Sequence, residues 1–149
     1  MEKLPPIQKI YEAYSALADD RFDLRPEEAT ITSSDGSRTY TVRWQDGVYC
    51  STDNATYWQG YAGYPVIVVL LLQGLLPYDA ETAGWFKGIP WKALNDAHKR
   101  DYGAALQEAF QMAGLTEEQA ARAEAKAAED MAALAALDIQ TGRLQAPQG

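Results

Sequence analysis

PVIVVLLLQG, residues 65–74, contains the most apolar run of the chain, and the fold around it depends on whether it is helix or strand. Val-Ile-Val-Val is strongly β-branched and would suit a buried strand. The punctuation favours a helix: Pro65 fits a first helical position, Gly74 fits the left-handed position that ends one, and Leu75 can fold back onto the last turn. The unbroken run from Val66 to Leu72 is far shorter than the ~20 residues of a membrane span. It is therefore expected to be a buried core helix running through Gln73.

Upstream, two Asp-Gly pairs mark hairpins, because Asp-Gly supplies the left-handed backbone that tight turns demand. Asp35-Gly36 lies between Ala29-Thr30-Ile31-Thr32 and Arg38 to Trp44, and Asp46-Gly47 lies between that run and Val48-Tyr49-Cys50-Ser51. The β-branched and aromatic residues of these runs predict a three-stranded antiparallel meander. In the middle strand Tyr40, Val42 and Trp44 share the face to be buried. Phe22 to Pro26 is expected to be a connection, and Thr52 to Tyr64 has no clean period.

Helices flank this unit. After Pro5-Pro6, residues Ile7, Ile10, Tyr11, Tyr14 and Leu17 fall on one helical face, with Lys9, Glu12, Asp19 and Asp20 largely off it, predicting a one-sided helix that ends near Asp20. Asp79 can cap a short helix to Phe86. Trp91 to Ala113 carries one stripe, Trp91, Leu94, His98, Tyr102, Ala105, Leu106, Ala109 and Phe110, and predicts a single helix with Gly103 as its weak point. Thr116-Glu117-Glu118-Gln119 matches a capping box for an Ala-rich helix to about Leu137, which needs little core burial. The fold class is α+β: an N-terminal helix, the meander, a short buried helix, then C-terminal helices on one face of the sheet. One domain is expected over 1–140, with 116–138 as a helix at its periphery and 141–149 as a flexible tail.

A chain of 149 residues, 47% of them apolar, suits one such core. A formal charge of −8 and scattered basic residues argue against nucleic-acid or membrane partners, since both require clustered Lys and Arg. The N-terminus lacks the apolar run of a secretory signal, and the one cysteine cannot form an intrachain disulfide, so a cytoplasmic location is expected.

Chemical signatures are sparse. Cys50 and His98 are the one cysteine and the one histidine, but they fall in different predicted elements and each has an ordinary structural role open to it. Asn95, Asp96, His98 and Asp101 bring at most two donors to one helical face, too few for zinc. Gly60-Tyr61-Ala62-Gly63 lacks the Lys and Ser of a phosphate loop. No cofactor is expected. What remains is YCSTDNATYWQGYAGYP, residues 49–65, where Tyr49, Tyr57, Trp58, Tyr61 and Tyr64 stand beside Asp53, Asn54 and Gln59. Rings with a polar handle suit pockets and interfaces, although they can equally seal a seam between sheet and helix. The expected function is that of a small soluble non-enzymatic protein binding an unknown protein or small molecule through these eight residues. The rivals are a homodimer formed through the C-terminal helix and a small enzyme using Cys50 with His98.

Overall fold

The structure, a computed structural model, describes residues 1, 3–99 and 101–144. Its element order is α1 (Gln8–Ala18), β1 (Phe22–Leu24), β2 (Glu28–Thr32), β3 (Thr39–Gln45), β4 (Val48–Ser51), α2 (Tyr64–Leu72), α3 (Ala80–Gly84), α4 (Trp91–Ala97), α5 (Tyr102–Ala113), α6 (Glu117–Ala136) and β5 (Gln140–Arg143). This is the α+β arrangement expected: an N-terminal helix, antiparallel strands, a short buried helix and C-terminal helices.

The decisive run is helical. Pro65 lies in the first turn of α2, and Gly74 takes φ 76° just beyond its end, with the Leu75 N–H returned to the Leu70 carbonyl at 3.0 Å. Every residue from Pro65 to Leu71 is buried. A helix enclosed on all sides needs no polar face, which is how so β-branched a segment is held helical against its local preference. It meets β2, β3 and β4 on one side and α1 on the other, and α1 in turn carries α3, α5 and α6. Tyr11, Tyr14, Phe86 and Phe110 interlock edge to face in this helical half, with Tyr11 and Phe86 centroids 5.1 Å apart.

Both Asp-Gly turns form, and in the second Asp46 and Gly47 are both left-handed, at φ 52° and 77°. The sheet is larger than the three-stranded meander. Its order is β1-β2-β3-β4-β5, with the first four antiparallel and β5 parallel to β4. Phe22-Asp23-Leu24 was expected to be a connection, but three residues are too few to display a period. Residues 141–149 were expected to be a tail. Instead β5 adds to the sheet edge through backbone bonds, Gln140 N–H to the Gly47 carbonyl at 2.9 Å and Leu144 N–H to the Ser51 carbonyl at 3.1 Å. Gln-Thr-Gly-Arg has no apolar alternation to announce it. Residues 145–149 lie outside the described residues.

Two helical expectations need correction. The single helix over 91–113 is two, broken not at Gly103 but after Ala97: Lys99 turns left-handed at φ 51°, and Asp101 caps α5 by accepting the Ala104 N–H at 3.1 Å. Next, α1 is not one-sided: Gln8, Lys9, Glu12 and Ser15 are buried along with its apolar face, because α2, α3, α5 and α6 pack around it and Asn95 of α4 bonds to its polar side. Finally, α6 is anchored to the core along one face, although most of its residues stay outside it. Its Thr116–Gln119 capping box forms, and Ala123, Ala127, Asp130 and Leu134 are buried as it packs on α1 and α3. Arg122 holds its outer side, 5.7 Å from the Trp85 ring centre and 3.2 Å from Glu81.

Candidate functional site

The irregular segment between β4 and α2 is organised by one carboxylate. Asp53 accepts from the Ser51 hydroxyl at one oxygen and from the Thr56 N–H at the other, the latter at 3.0 Å, and this starts a π-helical turn over 55–59. Such turns recur at functional sites. Thr56 then accepts the Gly63 N–H at 2.9 Å, folding the segment back on itself. Gly63 has to be glycine, since a Cβ there would stand 2.0 Å from Asp53 Oδ2. The strand β5 braces the outside, where Arg143 Nε donates to the Tyr57 carbonyl at 2.9 Å and its guanidinium lies 5.3 Å from the Tyr57 ring and 5.6 Å from that of Trp58.

This folded segment forms one wall of a cleft of about 560 Å³. The opposite walls are α1, through Lys9 and Glu12, and α4, through Trp91, Lys92, Asn95 and Asp96. The Ser33-Ser34 turn, Tyr40 of β3 and Tyr102 of α5 complete the lining. The volume falls in the range of small-molecule sites, and the lining is unusually polar for one.

Of the eight residues singled out in the sequence, six line the cleft: Asp53, Asn54, Trp58, Gln59, Tyr61 and Tyr64. Trp58 stands at the rim, 66% exposed. Tyr49 and Tyr57 are elsewhere. The Tyr49 ring stacks on Trp44 and its hydroxyl donates to Gln73 at 2.7 Å, so it seals sheet to helix, while Tyr57 sits edge-on to Trp58 under Arg143. Asp53 is only 4% exposed and its carboxylate is committed to the loop, which makes it the scaffold of that wall.

The residues missed in the sequence are those of α1 and α4. Glu12 is 3% exposed. Its Oε1 accepts from Asn95 Nδ2 at 2.9 Å and from Gln8 Nε2 at 3.3 Å, while Gln8 Nε2 also reaches Asn95 Oδ1 at 2.7 Å. Its Oε2 has the Lys9 ammonium 3.2 Å away but no donor in hydrogen-bonding geometry. Burial works against the Lys9 charge, but Glu12, together with Tyr102, outweighs it and holds the ammonium above its ordinary pKa. Lys9 also lies 4.9 Å over the Tyr102 ring. Burial raises the pKa values of Tyr40, Tyr61 and Tyr64, so these hydroxyls stay protonated and can donate throughout the physiological range. The available signal was the spacing of Gln8, Glu12 and Ser15 at i, i+4 and i+7, a polar stripe along a helix otherwise made for a core.

Cys50 and His98 have separate surroundings. Cys50 lies within β4, its sulfur 2.9 Å from where a Cβ on Gly142 would fall, and His98 follows α4 with Nε2 3.2 Å from Glu108. Among the described residues no three His, Cys, Asp or Glu side chains gather as metal ligands do, and no helix is long and apolar enough to cross a membrane.

Residues 2–140 match the model of the family described as "Uncharacterised conserved protein UCP014422", so the chain belongs to that family. No curated protein and no solved structure matches it.

Proposed function

We propose that this family member is a binding protein for a small polar molecule, held in the cleft between α1, α4 and the 53–64 segment. The observation that carries the reading is Glu12. A carboxylate that is 3% exposed, clamped at one oxygen and faced at the other by the Lys9 ammonium alone, is costly to bury for stability alone. On the wall of a 560 Å³ cleft it is instead a prepared acceptor. The aromatic rim extends the expectation first attached to residues 49–64 and moves its centre onto α1. The one cysteine favours a cytoplasmic setting, and the net charge of −8 favours a partner other than nucleic acid.

The experiment is a screen of polar metabolites by thermal shift, followed by amide NMR mapping of each hit. Hits are expected to move signals of α1, α4 and residues 53–64, and to weaken in Trp58→Ala, whose ring is 66% exposed. If every compound that binds leaves those signals unmoved, the cleft is not the binding site.

A further inference from the structure

The distribution of charge and hydrogen-bonding groups in the cleft narrows its ligand, given the binding role proposed above. In a chain of net charge −8, the lining holds four cations, Lys9, Arg21, Arg38 and Lys92, against three carboxylates, Glu12, Asp53 and Asp96. Two of the cations are already engaged inside the protein: Lys9 faces Glu12, and Arg21 faces Asp19 at 3.2 Å. Arg38 has no ion-pair partner among the described residues, and Lys92 has only a solvent-exposed contact with Asp96 at 3.2 Å, a pairing that contributes little. Arg38 and Lys92 line the cleft together with Tyr40, Glu12 and Asp53, so cations and carboxylates share one lining. The part of the lining that carries Arg38 and Lys92 can thus receive an anion.

The rest of the wall asks for something different. Glu12 Oε2 accepts no hydrogen bond beyond the Lys9 ammonium 3.2 Å away, and that ammonium has further N–H groups to give. A hydroxyl group is the small-molecule group that gives and accepts at the same atom, and a ring of hydroxyls matches a wall where donors and acceptors alternate. The carbon face of such a ring packs on an aromatic side chain, and Trp58 waits exposed at the rim. We infer that the cleft takes a sugar-sized polyol bearing one phosphate or carboxylate, with hydroxyls toward Glu12 and Lys9, the anion between Arg38 and Lys92, and the ring face against Trp58.

Calorimetric titration of the full chain with glucose 6-phosphate, ribose 5-phosphate and glucuronate tests this, with glucose and inorganic phosphate as the uncharged and sugar-free counterparts. At least one anionic sugar is expected to bind ten-fold or more tighter than both counterparts, and comparison of the phosphates with glucuronate identifies which anion is preferred. Arg38→Ala, an exposed change that leaves the fold intact, is expected to weaken that sugar about ten-fold, the scale of one charge-assisted hydrogen bond. Glu12→Gln is expected to weaken the sugar and to leave inorganic phosphate unchanged. Glucose binding as well as its phosphate, or indifference to Arg38→Ala, overturns the anion site, and inorganic phosphate matching the sugars overturns the polyol. If none of the five binds while an uncharged or aromatic hit from the screen moves the cleft signals, the ligand class is wrong and the binding role stands. If no compound moves them, both fail.

Discussion

Asp130 is the charged group whose removal should strengthen the fold. It lies on α6 with 0% exposure, one oxygen accepting from the Tyr14 hydroxyl of α1 and Oδ1 without a donor. Lys126 and Glu129 are its charged neighbours on α6, and Tyr14 is the ionisable group facing it from α1. Burial pushes the carboxyl up to about 6, against a relief from Tyr14 and Lys126 that is too small to compensate. In the unfolded chain an Asp titrates near ~3.9. Between these values the folded state holds a proton that the unfolded state has lost, so stability is highest below the unfolded pKa, falls as pH rises toward 6, and stays lower above it. Two pKa units correspond to about 3 kcal/mol. Asp130→Asn keeps the acceptor for Tyr14 and removes the charge, at a cost of about 1 kcal/mol for an amide donor with no evident partner. The variant should therefore be about 2 kcal/mol more stable than the parent at pH 7.5, or roughly 4–8 °C in a chain of this size. At pH 4, where the native carboxyl is neutral too, the advantage should be gone. Urea unfolding of both proteins across pH 4 to 8 gives the difference curve, in which the titration of every other carboxylate cancels. A difference that is flat with pH, or a variant weaker at pH 7.5, would refute the burial argument.

The loop wall is tested by Gly63→Ala. Its Cβ would meet Asp53 Oδ2 at 2.0 Å, so a loss of about 2 kcal/mol or more is expected, and Asp53→Ala in the same chain should recover part of it because the two changes share one clash. Additive losses in that thermodynamic cycle would mean that Asp53 and Gly63 do not act on each other. Trp58→Ala, at 66% exposure, should shift stability by no more than about 0.5 kcal/mol, and a larger drop in thermal melting would make this ring a packing element rather than a rim residue. Thr116→Ala should cost about 1 kcal/mol, because Thr116 Oγ1 accepts the Gln119 N–H at 3.0 Å and Gln119 returns the bond to the Thr116 N–H at 3.0 Å. Equal stability of the variant would show that tertiary packing alone fixes the start of α6.

Where the chain marks its own local geometry, the sequence was legible. Asp35-Gly36 and Asp46-Gly47 announced their turns, Pro65 and Gly74 bracketed α2, and Thr116 with Gln119 opened α6, since each signal acts within four residues of itself. What escaped was structure whose support comes from far away. The strand β5 is held by the backbone of β4, about ninety positions earlier in the chain by its register of Val48 with Gln140, and none of its own side chains records the partnership. The break after Ala97 was hidden because the apolar stripe of α4 continues in phase into α5, so periodicity reported one helix where the Asp101 cap makes two.

The same distinction explains the site. Rings are conspicuous in a sequence, and six of the eight chosen residues do line the cleft, but a cleft needs an opposite wall, and that wall is made of residues that look like ordinary solvent-facing polar positions on a helix. Lys9 and Glu12 were assigned to the outside of α1 because an amphipathic helix has one buried face. They are buried because α1 is the hub of the fold, with α2 on one side, α3, α5 and α6 on others, and α4 bridged to it through the Gln8, Glu12 and Asn95 side chains. A central helix has no solvent face to give its polar residues. Gln8, Glu12 and Ser15 consequently turn toward Asn95, Trp91 and the Phe86 carbonyl, and Ser15 is fully satisfied there, donating to Phe86 at 2.6 Å and accepting from Trp91 at 2.8 Å. Gln8 Oε1 and Glu12 Oε2 both lack a hydrogen-bond donor, and of these two residues Glu12 is the one that lines the cleft. That difference along a single helix face separates packing from a prepared site, and it is why Glu12, rather than the more visible tyrosines, is where the functional reading rests.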